Sequence, residues 1–176
     1  REGELVYALS SGSDRPVLAL RERFVGAAQP KLRPGAAARA KISRFSGHYR
    51  AEAAAPLQAF QNVELNRLYP GISLQLAARG RSLEKLFLLA PNADPEQISV
   101  TIDGAEALSV AADGQLALGT AMGPVAFTAP IAWQTIDGER RDVAVAYRID
   151  RSDPKQHRYG FALGDYDRSQ PLTIDP

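Results

Sequence analysis

The chain has 176 residues, a formal net charge of +1, no Cys and two His. These counts exclude a disulfide framework, a thiolate metal site, a cysteine nucleophile and a three-histidine zinc site. No apolar run reaches the ~18 residues that a membrane-spanning helix needs, so we expect no membrane insertion.

Charge is divided unevenly along the chain. Residues 1–90 carry 14 Lys and Arg against 7 Asp and Glu, whereas residues 91–176 carry 7 against 13. Such a split can mark a basic binding face, or two halves that attract each other as they pack. The basic residues are scattered and form no long run, so we expect internal packing and no nucleic-acid partner. The prediction is a single β-rich domain over 1–176, with a basic half over residues 1–90 packed on an acidic half over residues 91–176.

The first third of the chain predicts irregular structure. Alternating apolar residues indicate a strand over residues 17–24. Two Pro, a Gly and an Ala-rich stretch predict a long loop over residues 29–41. Composition indicates a short helix over 51–60, although a Pro interrupts it. A strand over 63–68 is then predicted to run into a Tyr-Pro-Gly turn.

From residue 72 onward, apolar and polar residues alternate with the period of two that half-buried strands show. Asp-Gly pairs end three of these runs and suit hairpin turns. The pattern predicts an all-β, antiparallel, sandwich-like domain of about ten to twelve short strands, with the long loop in its N-terminal third. The apolar run 86–89 predicts a strand buried on both faces. One interior is predicted to hold Trp133, Val143, Val145, Tyr147 and Phe161.

Motifs for catalysis are weak in this sequence. It contains no nucleophile elbow and no Gly-rich phosphate loop. Ser46 and His48 are neighbours in sequence, which does not establish the geometry of a catalytic triad. Residues 44–50 interleave bases and aromatics, as binders of single-stranded nucleic acid do, but core or hairpin aromatics explain the segment better. We predict no catalytic residue and no cofactor.

Two features remain as candidate ligand sites. Asp165 and Asp167 alternate as the oxygen ligands of a calcium loop do, but the run lacks the mid-loop Gly and the distal Glu of an EF-hand. A turn stabilised by Asp side chains, with Arg168 paired to one of them, is the favoured interpretation, and calcium is the alternative. Trp133 could stack on a sugar ring from an exposed position, although a core position is favoured.

The order of the motifs resembles that of a known family. The chain contains, in order, Tyr-Pro-Gly-Ile at 69–72, Phe-Leu-Leu-Ala-Pro-Asn-Ala-Asp-Pro at 87–95, Pro-Ile-Ala-Trp-Gln-Thr-Ile-Asp-Gly at 130–138 and Gly-Asp-Tyr-Asp-Arg-Ser-Gln-Pro-Leu-Thr-Ile-Asp-Pro at 164–176. Over residues 42–176 this series resembles the N-terminal domain of unknown function that precedes seven-bladed β-propeller (SBBP) repeats in secreted bacterial proteins. The chain departs at 84–87, with Glu-Lys-Leu-Phe where the family commonly has Glu-Tyr-Asp-Phe.

The resemblance implies a secreted or cell-surface bacterial protein whose chain continues beyond Pro176. It implies the following propeller repeats as the partner, and it implies no catalytic residue. We therefore expect a non-catalytic structural or interaction module, not an enzyme, that docks or caps the propeller. The alternative is an extracellular module that binds carbohydrate or a surface protein. An outward-facing aromatic platform flanked by Asn, Asp or Gln would favour that alternative.

Overall fold

The computed structural model describes residues 4–9, 18–42, 57–80 and 82–176. These residues form seventeen strands in antiparallel sheets that do not close into a barrel, which confirms the predicted all-β class. In chain order the strands are β1 (Glu4–Leu9), β2 (Leu18–Phe24), β3 (Lys31–Pro34), β4 (Ala37–Ile42), β5 (Leu57–Phe60), β6 (Asn62–Tyr69), β7 (Ile72–Arg79), β8 (Ser82–Leu89), β9 (Val100–Asp103), β10 (Ala107–Val110), β11 (Leu116–Gly119), β12 (Val125–Phe127), β13 (Ile131–Ile136), β14 (Glu139–Val143), β15 (Val145–Asp150), β16 (Arg158–Leu163) and β17 (Leu172–Asp175).

Four sheets contain these strands. A seven-stranded sheet has the order β14-β13-β17-β8-β7-β6-β3, and a five-stranded sheet has the order β1-β2-β9-β16-β15. A three-stranded sheet, β10-β11-β12, and the pair β4-β5 complete the fold. Both large sheets mix strands from the basic and the acidic half, and an Arg23–Asp103 ion pair of 2.8 Å joins the two halves. The described residues include no helix long and apolar enough to cross a membrane.

The core lies between the two large sheets. Phe87 of β8 packs edge-on against Phe24 of β2 and Phe161 of β16, with ring centroids 6.3 and 5.6 Å apart. Within the seven-stranded sheet, Phe87 is the cross-strand neighbour of Leu74 on one side and Ile174 on the other, and all three are buried. Face-to-face contact of two antiparallel sheets through alternate residues is the arrangement of a β-sandwich.

The first third of the chain differs from the prediction. Most of the predicted loop 29–41 forms β3, which pairs with β6, and β4, which pairs with β5. The predicted helix 51–60 is instead β5 over its last four residues, while residues 51–56 lie outside the described residues. All four residues of β3 are exposed, so no alternation of apolar residues marks this strand in the sequence. β3 pairs at the edge of the seven-stranded sheet, and β4 and β5 pair only with each other, so these strands arise from backbone pairing and raise the strand number above the predicted ten to twelve.

Two other predictions about burial need correction. In β8, Lys85, Phe87 and Leu89 are buried while Leu86 and Leu88 are half-buried, so the strand buries one face and not two. In β13 the buried residues are Ala132 and Gln134, so Trp133 points away from the predicted interior. The rest of that interior was predicted well: Val143, Tyr147 and Phe161 are buried, and Val145 is half-buried against them.

Gly160 of β16 provides a test of how closely the sandwich is packed. A Cβ atom at this position would lie 2.6 Å from the backbone oxygen of Ile98, and backbone cannot give way as a flexible side chain can. We therefore expect Gly160→Ala to lower the free energy of unfolding by about 1–3 kcal/mol, measured by urea denaturation. Ala162→Ser, at an exposed position of the same strand, is the control and should change stability by less than about 0.5 kcal/mol. Equal midpoints for the two variants would contradict this packing.

Candidate functional site

The seven-stranded sheet has a second side-chain layer, which we call the outer face, on the side opposite the core. Side chains alternate between the two sides of a strand, so the burial of Ala132 and Gln134 places Trp133 on the outer face. One row of this face follows the strand register from Trp133 to Thr173, then to Leu88 and Ser73. All four side chains are half-buried. The row gives the sheet a broad surface of mixed apolar and polar character.

Trp133 is held at one end of this row by β14. The guanidinium of Arg140 lies 4.2 Å from the centre of the indole, and Arg140 Nε donates to Asp142 Oδ1 at 2.8 Å. A cation over an indole ring contributes about 0.5–1 kcal/mol at an exposed position. The guanidinium of Arg140 therefore covers one face of the Trp133 indole and does not contact the opposite face. The structure thus places Trp133 as a surface aromatic with polar neighbours.

Acidic and amide groups accompany the Trp133 row along the sheet. Asp175 pairs in register with Ile131, and Gln75 and Glu64 are cross-strand neighbours on the next row. Burial, together with the charge of Glu84, raises the pKa of Asp175 above its ordinary value. Carboxylates and amides beside an aromatic ring are the groups that hydrogen-bond to the hydroxyls of a ligand stacked on the ring. Of these groups, Asp175 lies on β17, the strand next to Trp133, whereas Gln75 and Glu64 lie three and four strands away, so a ligand platform at Trp133 stays a prediction.

Asp167 begins a turn over residues 167–170 that β13 holds in place, and Asp165 lies at a bend just before it. Asp167 Oδ1 accepts hydrogen bonds from the backbone N and from Oγ of Ser169, at 2.9 and 2.7 Å. These two hydrogen bonds lower the pKa of Asp167. Buried Gln134 donates from Nε2 to the carbonyl of Asp167 at 2.8 Å and accepts from its backbone N at 2.9 Å. Gln134 was missed by sequence reasoning, since a polar residue between Trp133 and Thr135 gave no sign of facing inward.

The structure shows neither the expected ion pair of Arg168 with an Asp of this turn nor, among the described residues, a group of side chains that could hold a metal ion. No ion pair joins Arg168 to Asp165 or Asp167 among the residues that the structure describes. No group of three His, Cys, Asp or Glu side chains that could hold a metal is found among the described residues. Calcium binding by Asp165 and Asp167 stays untested.

A buried ion pair lies at the junction of three sheets, and we call it and its neighbours the Glu22–Lys85 cluster. Lys85 Nζ of β8 donates to both carboxylate oxygens of Glu22 in β2 at 2.9 Å. The hydroxyls of Tyr159 and Tyr7 donate to the same carboxylate, each at 2.6 Å. The ammonium lies 4.7 Å from the ring centre of Phe127 in β12, so the cluster links the five-, seven- and three-stranded sheets.

The electrostatics of this cluster favour a fixed ion pair. Burial alone would raise the pKa of Glu22, but the charge of Lys85 and hydrogen bonds from Tyr159, Tyr7 and Lys85 outweigh it and lower the pKa. Burial, then the charge of Glu22, raise the pKa of the Tyr7 and Tyr159 hydroxyls well above their ordinary value. The tyrosines thus remain protonated donors, and both carboxylate oxygens are occupied by them and by Lys85. The cluster therefore joins side chains of three sheets in one closed set of buried contacts.

The other residues considered from sequence do not converge on a site. Ser46, His48 and the segment 44–50 lie outside the described residues. His157 is half-buried and lies in the connection between β15 and β16, in the five-stranded sheet, whereas Trp133 belongs to the seven-stranded one. The features that sequence reasoning missed are Gln134 and the Glu22–Lys85 cluster. A signal for the cluster existed, because Glu22 and Lys85 occupy inward positions of otherwise alternating strands.

Comparison with known proteins identifies the family. A family model described as a domain of unknown function (DUF7948) matches residues 8–176, and the chain belongs to this family. A search of curated proteins found no match, and a search of solved structures found none either.

Proposed function

We propose that this chain is a non-catalytic interaction module of a larger secreted or cell-surface bacterial protein, and that it docks against β-propeller repeats of the same polypeptide. The observation that supports this proposal is the outer face of the seven-stranded sheet, where half-buried apolar and polar side chains form the row from Trp133 to Ser73. The secreted setting and the propeller partner rest on the resemblance of the motifs described above.

The non-catalytic character of the proposed module is supported by the Glu22–Lys85 cluster. Its four titratable groups are buried or partly buried, and their polar atoms bond to one another between the sheets. The exposed fractions of the Lys85 and Glu22 side chains are 7% and 1%. A general acid or base must reach its substrate within hydrogen-bond distance, and groups enclosed in this way serve stability instead.

The outer face has the character of a docking surface. Interfaces are enriched in Trp and Arg over the rest of a protein surface, and Trp133 with Arg140 supplies such a pair. Leu86 and Leu88 add half-buried apolar area in the middle of the sheet. The last strand, β17, lies beside β13 in the same sheet, so a segment that follows it would leave the domain next to Trp133. Propeller repeats joined there could cover this face.

Trp133→Ala tests the docking proposal. Because Trp133 is half-buried, we expect the substitution to cost only about 1 kcal/mol of stability, less than a core Trp would cost. We expect it to weaken binding of the chain to separately produced propeller repeats by about tenfold or more, as interface aromatics do. Isothermal titration calorimetry measures the affinity. Ser109→Ala on the exposed strand β10 is the control. Unchanged affinity in Trp133→Ala would overturn docking through this face.

A second candidate function, carbohydrate binding, is favoured by the position of Trp133 itself. A surface indole with Thr173 and Asp175 on the adjoining strand offers both stacking and hydrogen bonds to a sugar. The same Trp133→Ala variant distinguishes the two proposals. Loss of binding to an oligosaccharide, with unchanged binding to the repeats, would support the carbohydrate function and contradict docking at Trp133.

A further inference from the structure

A cavity of about 500 Å³ opens at the far end of the outer face from Trp133. It lies between β3, β6 and the segment that leads into β3, and its size is within the usual range for small-ligand sites. Three cationic side chains and two amides dominate its lining, which consists of Ala28, Gln29, Lys31, Arg33, Asn66 and Arg67.

The cations of this cavity are unpaired. Lys31, Arg33 and Arg67 make no side-chain ion pair or hydrogen bond with any residue that the structure describes. Asn66 accepts a hydrogen bond at Oδ1 from Ser73 Oγ, at 3.0 Å, so the end of its amide that stays free is the donor end. The polar lining that is free to bind thus consists mainly of hydrogen-bond donors, and an acceptor of negative charge is its natural complement.

Arg67 occupies its place at a conformational cost. Its φ angle is +54°, in the left-handed region that favours Gly and Asn, and the β6–β7 register shifts between Leu65 and Tyr69 around it. Backbone conformations of this kind persist where the surrounding structure fixes them, and they cluster at ligand sites. With this irregular backbone, Arg67 lines the same cavity as Lys31 and Arg33.

We infer that this cavity binds the acidic group, a carboxylate or a sulfate, of a sugar that lies along the outer face. The Trp133 row leads to it, since Ser73 bonds to Asn66, and Asn66 pairs in register with Lys31. Five strand spacings separate Trp133 from Lys31, or roughly 24 Å at about 4.8 Å each. The inference rests on the carbohydrate-binding candidate above, and it specifies the ligand as an acidic oligosaccharide.

Charge along the outer face selects a glycan over other polyanions. Glu64 is the cross-strand neighbour of Arg33 at the edge of the cavity, and Asp175 lies on the strand next to Trp133, so carboxylates lie along the outer face beyond the cations. A nucleic acid carries a phosphate at every nucleotide, and these carboxylates would repel most of its backbone. An oligosaccharide with an acidic sugar at one end meets cations there and hydrogen-bonding groups along the rest of the row.

The experiment titrates the 176-residue chain, by calorimetry at low and high salt, with a neutral galactose hexasaccharide, the same hexasaccharide with one terminal galacturonate, and the same hexasaccharide with one terminal sulfate. We expect both acidic sugars to bind about tenfold more tightly than the neutral one, and this advantage to fall in high salt. The carboxylate and sulfate arms show which acidic group the cavity prefers. Duplex DNA and phosphatidylserine vesicles are titrated in parallel.

Arg67→Asn is the decisive variant, because Asn tolerates the left-handed backbone and removes the charge. It should weaken binding of the acidic sugars by about tenfold while its thermal midpoint stays equal to or above that of the parent. Arg151→Gln removes the same charge from the exposed loop after β15 and should leave binding unchanged. The inference is overturned if neither acidic sugar binds, if Arg67→Asn binds them normally, or if DNA or vesicles bind more tightly through Arg67. Loss in Arg67→Asn with full binding in Trp133→Ala would retain the cavity and reject the Trp133 platform.

Discussion

Lys85→Met is expected to destabilise the protein by about 3–5 kcal/mol, because it leaves the Glu22 carboxylate buried without its counter-charge. Met fills nearly the same volume as the Lys stem, so lost packing contributes little to this figure. Lys85 Nζ lies 2.9 Å from both oxygens of that carboxylate, and neither side chain is more than 7% exposed. Urea denaturation followed by circular dichroism measures the loss.

The pH dependence of stability should separate charge from packing. The folded pKa of Glu22 lies below its ordinary value of 4.5, so its contribution is fully present above 4.5 and is lost as pH falls through the folded value. In Lys85→Met the largest remaining influence is burial, which raises the pKa of Glu22. The penalty in the variant should therefore shrink as pH falls from neutral toward 4.5, while the Glu22 contribution in the parent stays constant over that interval.

Two controls make this prediction specific. Arg23→Met removes one partner of the Arg23–Asp103 pair, whose side chains are 47% and 42% exposed, and should cost less than about 1 kcal/mol. The double variant Glu22→Leu/Lys85→Met removes both charges and should recover much of the stability lost in Lys85→Met. If Lys85→Met costs no more than Arg23→Met, the Glu22–Lys85 cluster does not hold the sheets together.

The class of fold was predictable because most strands bury one face and expose the other. Alternation along residues 131–135 and 159–163 identified β13 and β16 without any knowledge of pairing, whereas the run 143–149 joins the last residue of β14 to β15, which lies in the other large sheet. The same rule failed for β3 and β4, whose described side chains are almost all exposed. Edge strands of this kind arise from backbone pairing with a neighbour, and the hydrophobic pattern does not record it.

The position of Trp133 shows why strand recognition does not settle which face is buried. Ile131, Trp133 and Thr135 looked like the inward set, but a shift of one residue exchanges the two faces of a strand. The deciding contacts come from the turn at residues 165–171, where Gln134 donates to three backbone carbonyls. Asp167 lies 33 residues from Gln134 in the chain, so the local sequence pattern around β13 could not reveal this contact.

The Glu22–Lys85 cluster illustrates the same limit for the core. Sequence alone places Glu22 in phase with Leu20 and Phe24, and Lys85 in phase with Phe87. Their separation of 63 residues and their location in two different sheets hide the pairing. Lys85 also stands where the resembled family commonly has Tyr, so the resemblance did not point to an ion pair. Inward charges on alternating strands are best considered as candidate partners of each other.

Deletion of residues 170–176 is expected to have the largest effect of all, because it removes β17 from the middle of the seven-stranded sheet. Ile174 is the cross-strand neighbour of Ala132 on β13 and of Phe87 on β8, so the segment is paired on both sides within the domain. Leu172 and Ile174 are 2% and 0% exposed. Without them the β14-β13 pair separates from the other four strands, and the backbone groups of β13 and β8 lose their partners.

Each of the two buried side chains would cost about 2–5 kcal/mol on truncation to Ala, and the lost backbone ladder adds to this. That sum approaches the whole stability of a typical domain, about 5–15 kcal/mol, so the truncated chain should lack a cooperative unfolding transition. Near-ultraviolet circular dichroism and a urea titration test this directly. Thr173→Ala, which keeps the strand and alters only its outer side, should change stability by less than about 1 kcal/mol. A truncated chain that unfolds cooperatively at the parent midpoint would mean that β17 is a detachable extension and not an integral strand of the seven-stranded sheet.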